Sequence, residues 1–333
     1  MYIESANFAI WCDFIERSFL DGEFMEHIES KTFNGATSNP AIFKSAFLTS
    51  PAYHEDKNAL KGKSAKEIYE ALAVEDIKRA AQKLYPLHVK GDDGFISIEV
   101  DPFLCDDAQG TIEEGKRLFA SINMPNVMIK VPATQAGFTA MEALIAAGIN
   151  VNATLIFSPE QSLGCLKAFD AGSKTFSEAN PGASLPKAVI SVFVSRFDRK
   201  VDAAMKAAGL DEGRVGIMNA IHIYRQIEEH GLKNVRCLFA STGVKGNALA
   251  ADYYIRELLY PNAVNTAPLE TIKAFVANGE APVLTVPTQE EIDMFFDRVK
   301  KAGICMDTVY AELMAEGIVS FNDAFREILN ELN

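Results

Sequence analysis

The chain has 333 residues, with 48% hydrophobic and 23% charged residues and a formal net charge of −13 at pH 7. These values are ordinary for a globular protein, and the negative charge disfavours non-specific binding to nucleic acid or anionic membranes. Apolar runs such as 151–157 are too short to span a membrane, and the first residues lack the basic and apolar regions of a secretory signal.

The cysteines are spread singly along the chain, at Cys12, Cys105, Cys165, Cys237 and Cys305. Their odd number and wide spacing argue against a disulfide framework and against a zinc site. We expect the cysteines to be reduced, as in the cytosol, and to pack as small buried apolar side chains. No His-x-x-x-His pair, P-loop or dinucleotide-binding glycine motif is found in the sequence, so no metal and no nucleotide cofactor is predicted.

Short segments with the pattern of buried strands recur along the chain. They cover residues 8–14, 33–40, 94–102, 127–132, 149–157, 187–193, 235–242 and 262–266. Helical periodicity fills the intervals, at 14–30 with a break at Gly22, 41–90, 108–121, 136–147, 159–170, 196–208, 219–230 and 247–259. Capping boxes at Ser64–Glu67 and Thr288–Glu291 predict helix starts, and an amphipathic helix is predicted at 321–332.

This alternation of strand and helix predicts the fold. Each interval is long enough for a helical crossover, so the strands are expected to pair in parallel. The number of such units favours a closed (β/α)8 TIM barrel over an open α/β sheet. We predict a single barrel domain over 1–333, with a helical insertion at about 41–90 and further helices at about 288–333.

The fourth predicted strand, 127–132, carries Lys130 between apolar neighbours on both sides. Burying a charged lysine is costly, so a closed site favours the neutral amine. A neutral amine attacks a ketone carbonyl and forms a Schiff base. The competing interpretation is a lysine near a strand end whose ammonium group reaches water. The lysine strand alone does not decide between the two.

Polar residues share one period-two face on the other strands, near the carboxyl ends where barrel enzymes hold their active sites. The opposite faces are apolar and are expected to pack against helices. The residues predicted to face the interior are Asp13, Thr37, Asn39, Ser97, Glu99, Asp101, Lys130, Asn150, Asn152, Thr154, Ser191, Phe193, Ser195, Phe239 and Ser241. Because burying such groups without partners is costly, this face predicts a site rather than a stabilising core.

Taken singly, each candidate also has a purely structural interpretation. Asp13 could cap the next helix, and Asn39 could belong only to a turn before a proline. The other candidates also have structural interpretations. Asn152 and Thr154 could be hydrogen-bonded core residues, and Arg196 could be an ordinary arginine in the first turn of a helix. Glu99 could be a structural carboxylate and Lys245 a solvated lysine. Their convergence on one face favours a shared function.

A Schiff-base lysine needs three kinds of helper. One group takes a hydroxyl proton as the carbon–carbon bond breaks, a second moves a water molecule, and others hold the sugar hydroxyls. Asp13, the pair Glu99 and Thr154, and the pair Asn39 and Asn152 have suitable chemistry for these roles.

At these residues the sequence resembles the transaldolase family. The segment 35–43, Gly-Ala-Thr-Ser-Asn-Pro-Ala-Ile-Phe, is similar to the Asn-Pro signature of that family. The segment 127–134, Val-Met-Ile-Lys-Val-Pro-Ala-Thr, is similar to its Schiff-base strand. Segments 149–157 and 190–196 are similar to its fifth and sixth strands. The resemblance covers essentially the whole chain, and the two signatures together are highly specific.

The resemblance implies transfer of a dihydroxyacetone unit through a lysine Schiff base in the pentose phosphate pathway. Sedoheptulose 7-phosphate and glyceraldehyde 3-phosphate would exchange with erythrose 4-phosphate and fructose 6-phosphate. The implied enzyme is cytoplasmic, a monomer or homodimer, and uses no cofactor. The implied residues are Lys130 for the Schiff base, Asp13 for acid–base catalysis, Glu99 and Thr154 for the catalytic water, Asn39 and Asn152 for hydroxyls, Ser191 and Arg196 for phosphate, and Phe193 as an aromatic lining residue.

One departure from the family pattern lies after the seventh strand. Many family members carry a second phosphate-binding arginine there, whereas residues 239–246 read Phe-Ala-Ser-Thr-Gly-Val-Lys-Gly, as in the branch with plant-type members. Ser241 or Lys245 is the expected supplement to Arg196.

Three other interpretations remain open at this point. A fructose 6-phosphate aldolase-like enzyme would release dihydroxyacetone, but that branch carries an amide at the position of Glu99 and lacks the long insertion and C-terminal helices. A non-catalytic sugar-phosphate-binding barrel would use the same pocket without forming a covalent bond. A metal-dependent aldolase is disfavoured because the sequence has no histidine cluster.

Overall fold

The computed structural model describes residues 2–246, 248–279 and 281–333. Eight strands form a closed barrel in which every strand pairs in parallel with its sequence neighbours and the last pairs with the first. The strands are β1 (Ala9–Cys12), β2 (Gly35–Thr37), β3 (Ile96–Glu99), β4 (Val127–Pro132), β5 (Asn150–Ile156), β6 (Ala188–Phe193), β7 (Val235–Ala240) and β8 (Val264–Ala267). The predicted TIM barrel is therefore confirmed.

Helices cover the outside of the barrel and continue past its last strand. Within the described residues they are α1 (Arg17–Asp21), α2 (Glu23–Glu29), α3 (Pro40–Thr49), α4 (His54–Ala59), α5 (Ala65–Val89), α6 (Ala108–Ile122), α7 (Gln135–Ala146), α8 (Pro159–Ala179), α9 (Ser195–Ala207), α10 (Val215–His230), α11 (Tyr253–Glu257), α12 (Leu269–Ala277), α13 (Gln289–Lys301) and α14 (Met306–Glu331). In this part of the chain no helix is both long and apolar enough to cross a membrane.

Several predicted boundaries agree with the structure because local signals set them. Both capping boxes form, at Ser64 and at Thr288, and Gly22 separates α1 from α2. The predicted helix at 159–170 is longer in the structure and continues to residue 179. Its added part includes Gly172, which lets α8 pack closely on α7, because a Cβ there would lie 2.5 Å from the Glu142 carbonyl oxygen. Helix α14 is one long helix that contains the predicted segment 321–332 except for its last residue, which caps the helix.

Two helix predictions are wrong between the last two strands and after them. The segment predicted as a helix at 247–259 contains only the short α11, and residue 247 lies outside the described residues. The helix α12 at 269–277 was not predicted.

The interior of the barrel is built from side chains that alternate along each strand. Near the amino ends of the strands Trp11 packs over Gly35, where a Cβ would lie 2.5 Å from the indole nitrogen. A middle layer joins Ser97, Asn152 and Ser191 by hydrogen bonds. The layer at the carboxyl ends contains the candidate catalytic residues described below.

The prediction that Phe239 faces the interior is wrong. Its ring lies 6.1 Å from the ring of Tyr224 on α10 and 6.5 Å from that of Tyr260, so it packs towards the helices. The alternation in β7 is set instead by Arg236, whose guanidinium group reaches Asp93 at the amino end of the barrel. Leu238 and Ala240 therefore share the inner face of β7 with Arg236.

Candidate active site

Lys130 lies in the middle of β4 and is only 6% exposed. It is in register with Glu99 of β3 on one side and with Asn152 of β5 on the other. Its Nζ donates a hydrogen bond to the Ser38 carbonyl oxygen at 3.1 Å and lies 3.7 Å from Glu99 Oε2. Among the described residues, Glu99 is the carboxylate that lies within 4.0 Å of this buried amine.

Glu99 is buried, and neither of its carboxylate oxygens has a hydrogen-bond partner among the described residues. Burial raises its pKa to about 7, against the opposing charge of Lys130 and with a smaller contribution from Asp13. A carboxyl group with that pKa can both give and accept a proton near neutral pH. This is the electrostatic signature expected of a group that moves protons to and from a water molecule.

Asp13 follows β1, and its Oδ1 accepts a hydrogen bond from the Thr37 hydroxyl at 2.6 Å. That hydroxyl lies 2.7 Å from the Thr266 hydroxyl of β8, so three strands meet at this carboxylate. Burial raises the pKa of Asp13, while the charge of Lys130 and the Thr37 hydrogen bond oppose the shift. Asp13 does not cap α1, because that cap is Glu16, whose side chain accepts from the Phe19 amide.

Thr154 follows Asn152 by two positions on β5, on the same face. Its buried hydroxyl has no hydrogen-bond partner among the described residues. The next residue, Leu155, has a φ of 58°, and the pairing register between β5 and β6 shifts there. This conformation is unfavourable for leucine, and such strain is often found at functional sites. The structure therefore keeps a free hydroxyl at the carboxyl end of β5.

The predicted amides have different surroundings. Asn152 donates from Nδ2 to the Ser97 hydroxyl at 2.9 Å and accepts from the Ser191 hydroxyl at 2.6 Å. Asn39 caps α3, because its Oδ1 accepts from the Ile42 amide at 3.0 Å. The cap uses the amide oxygen of Asn39, and its half-exposed Nδ2 is the group left to bind a ligand.

The other end of the candidate pocket is formed by β6, the start of α9 and the segment after β7. The Arg196 guanidinium lies 5.0 Å from the centre of the Phe193 ring. Ser195 and Ser241 have their hydroxyl oxygens 3.1 Å apart. Lys245 is exposed.

Helix α14 passes beside this end of the pocket. A Cβ on Gly317 would lie 3.0 Å from Leu155 Cδ2 and 3.4 Å from Arg196 Nη1. A glycine inside a helix costs about 1 kcal/mol relative to alanine, so this one is explained by the close approach. The C-terminal helix therefore packs directly against two residues at the carboxyl ends of β5 and β6.

Two residues predicted to face the interior are used elsewhere. Asp101 accepts from Lys66 Nζ of α5 at 2.6 Å and caps the turn at 102–104. Asn150 donates to the backbone carbonyls of residues 125 and 127 and accepts from the amide of residue 187. Both side chains tie loops to the barrel and have no direct contact with Lys130.

Sequence reasoning missed two groups at the site. Thr266, which contacts Thr37, ends the segment predicted as the last strand and could have been found by applying the same face rule there. The Ser38 carbonyl that accepts from Lys130 is a backbone group and left no signal in the residue types. In the described residues, no group of three or more His, Cys, Asp or Glu side chains is arranged to hold a metal ion.

Comparison with known proteins adds an independent observation. A family profile described as transaldolase/fructose-6-phosphate aldolase matches residues 10–332. A protein named transaldolase from Campylobacter jejuni subsp. jejuni is 47% identical over 333 residues, covering 98% of this chain and 99% of its own length. One of the same name from Helicobacter pylori is 44% identical over 324 residues, covering 97% of this chain and 98% of its own length.

Proposed function

This chain belongs to the transaldolase/fructose-6-phosphate aldolase family and has the function of a transaldolase, and from that premise we propose that it carries the transferred unit as a Schiff base on Lys130. The unit is dihydroxyacetone, moved between sedoheptulose 7-phosphate or fructose 6-phosphate and an aldose phosphate in the pentose phosphate pathway. The observation that carries the proposal is the buried amine of Lys130, which lies 3.7 Å from a carboxyl group whose pKa is raised to about 7.

The first stage joins substrate and enzyme. The neutral amine of Lys130 attacks C2 of the ketose, the carbonyl oxygen takes a proton, and a carbinolamine forms. Loss of that oxygen as water gives the iminium. Glu99 is suited to donate and recover the protons of this water, because burial holds its pKa at about 7. The unpaired hydroxyl of Thr154 is the second group proposed to hold the water.

The second stage breaks the C3–C4 bond. The electron pair of that bond moves towards the iminium nitrogen and gives an enamine, while the C4 hydroxyl proton goes to Asp13. The aldose phosphate leaves, and an acceptor aldehyde takes its place. The enamine then attacks the acceptor carbonyl carbon, Asp13 returns its proton to the new hydroxyl, and water releases the product. Thr37 orients the Asp13 carboxylate through the 2.6 Å hydrogen bond.

The positions of the remaining polar residues suggest which part of the substrate each one binds. Asn39 and Asn152 bind hydroxyls of the sugar. Ser191 is better suited to this role than to phosphate, because its hydroxyl is 1% exposed and bonded to Asn152. Phe193 forms an apolar wall beneath Arg196, which binds the phosphate with Ser241.

Lys245 is proposed as a further phosphate ligand from the segment after β7. If it has this role, Lys245→Ala raises the KM for fructose 6-phosphate and for erythrose 4-phosphate. Unchanged KM values for both would remove Lys245 from the site.

Borohydride trapping tests the covalent step. Incubation with fructose 6-phosphate and reduction should add a reduced dihydroxyacetone unit to Lys130, identified by peptide mass analysis. The matched control is Lys174, an exposed lysine paired with Asp170, which should stay unmodified. Absence of an adduct at Lys130 would leave a non-catalytic sugar-phosphate-binding barrel as the better explanation.

The aldolase reaction of the same family is the second candidate. It differs in that free dihydroxyacetone is released instead of transferred. Glu99 supports transfer, because a fructose 6-phosphate aldolase-like branch carries an amide there. Free dihydroxyacetone formed as fast as the transfer product would reverse this assignment. We further propose a cytoplasmic enzyme, monomeric or homodimeric, that needs no metal; activity that survives EDTA supports the last point.

A further inference from the structure

The first turns of α9 carry three cations, Arg196, Arg199 and Lys200, at positions that share one helical face. Lys200 is compensated: its Nζ lies 2.8 Å from a Glu312 oxygen and 2.7 Å from a Glu316 oxygen on α14. For Arg196 and Arg199, no described carboxylate has an oxygen within 4.0 Å of a side-chain nitrogen. Arg196 and Arg199 therefore have no salt-bridge partner among the described residues, although the charge of Glu316 acts on Arg196 from a longer distance.

The acid between them does not serve the arginines. Asp198 accepts from the Gly216 amide at 2.9 Å and from the Tyr254 hydroxyl at 2.9 Å, so its carboxylate faces α10 and the residues after β7. Cations near a helix N-terminus also oppose the helix dipole. Burial lowers the pKa of Arg196, the charge of Arg199 lowers it further, and the charge of Glu316 opposes the shift. The two arginines are thus close enough to repel each other, and an anion bound between them would relieve this repulsion.

Arg196, which is half-buried, and Arg199, which is exposed, both lie at the start of α9. Arg199 Nε donates to the Ser195 carbonyl oxygen at 3.4 Å, so its side chain folds back over the start of α9. Ser195 and Ser241 place their hydroxyls 3.1 Å apart at that point. The Arg196 guanidinium lies over the Phe193 ring at the end of β6. No side chain caps this helix, and its Ser195 amide donates to the Ser241 carbonyl oxygen at 3.1 Å, which holds the segment after β7 against the start of α9.

We propose that Arg199 is a second phosphate-binding arginine, acting with Arg196 on the phosphate dianion of the sugar substrates. It supplies from the first turns of α9 a second arginine, which the segment after β7 lacks. This proposal rests on the proposed function only for the identity of the ligand; the anion site itself follows from the uncompensated pair.

Inorganic phosphate is the direct probe, used with the full-length protein. Titration calorimetry should show phosphate affinity falling roughly tenfold in Arg199→Gln, the loss typical of a charge-assisted hydrogen bond. Arg199→Lys should retain part of the affinity, because the charge remains and the planar fork is lost. Lys206→Gln, at the exposed end of the same helix and paired with Glu212, is the control and should bind as the wild type does.

Kinetics give the second readout. For Arg199→Gln the ratio of kcat/KM for fructose 6-phosphate to that for fructose should fall about tenfold, through KM rather than kcat. An unchanged ratio together with unchanged phosphate binding would overturn the proposal. If the wild type forms no borohydride adduct while its phosphate binding still depends on Arg199, the arginine pair stands and the transaldolase mechanism fails.

Discussion

The two ends of the barrel contain similar polar and charged residues, but they differ in how many of these groups are hydrogen-bonded within the protein. At the amino ends of the strands Asp93 accepts from Trp11 Nε1 at 2.8 Å and from Arg236 Nη1 at 2.6 Å. The remaining Arg236 donors reach the backbone carbonyls of residues 7, 262 and 263. The polar groups of this network are hydrogen-bonded within the protein, so the network closes the barrel and holds it together.

At the carboxyl ends several groups are left with few protein partners. Within the described residues Glu99 and Thr154 have no hydrogen-bond partner for their buried oxygens, and Lys130 has one backbone acceptor and a carboxylate at 3.7 Å. Such groups lower stability, since each has lost water and gained little in return. The comparison shows that the polar network at the amino ends is satisfied within the protein, whereas Glu99 and Thr154 at the carboxyl ends leave hydrogen-bonding capacity that we propose is used by substrate and water.

The largest expected effect is at Lys130. Lys130→Met removes the nucleophile, and turnover should fall by roughly 10⁴-fold or more, a large share of the acceleration an enzyme provides. Steady-state assays of transfer from fructose 6-phosphate measure this. Lys174→Met, at an exposed ion pair, should be fully active. Substantial turnover by Lys130→Met would mean that Lys130 has a structural role, like the polar residues at the amino ends of the strands.

Asp13→Asn is expected to separate binding from cleavage. Loss of a general base costs roughly 10²- to 10⁴-fold, while the amide oxygen can still accept from Thr37 and the fold is retained. Borohydride should therefore trap the intact ketose on Lys130, and stopped-flow measurements should show slow release of the aldose. Cleavage at the wild-type rate would mean that Asp13 has a structural role and is not the acid–base group.

Arg236→Met tests the other end of the barrel. It leaves the Asp93 carboxylate without its cation, and we expect a loss of about 3 kcal/mol in the free energy of unfolding, the lower part of the range for breaking a buried pair. Denaturant titration measures this, while kcat and KM should match the wild type. A variant with normal stability and impaired catalysis would contradict the division between the two ends.

The smallest effect concerns the pH dependence of stability. The pKa of Glu99 in the folded protein is about 7, above its ordinary value of 4.5, so the folded state holds this proton more tightly than the unfolded state does. This contribution is fully present below about pH 4.5 and is lost as the pH rises through about 7. Glu99→Gln should remove that decline, seen as a flatter unfolding free energy between pH 5 and about 8. Equal slopes in the two proteins would show that Glu99 is not held neutral by burial.

Much of the site could be predicted because strands have a strict local pattern. Period-two alternation gave the bounds of β4 and the inward direction of Lys130, Glu99 and Asn152. Boundaries marked by capping boxes, as at Ser64 and Thr288, were equally accessible. Alternation failed at Phe239, because the choice between the two faces of β7 depends on Arg236, which reaches a residue 143 positions away.

The sequence by itself determined the barrel, the lysine strand and the chemical types around it, since each of these depends on neighbours within a few residues. Only the tertiary structure decided which polar groups find partners. Thr37 and Thr266 meet although 229 positions separate them, and α14 brings Glu312 and Glu316 into ion pairs with Lys200. The reason is that barrel closure and helix packing set distances between distant segments. Those distances decide whether a buried charged group has a partner within the protein or is available to bind a ligand.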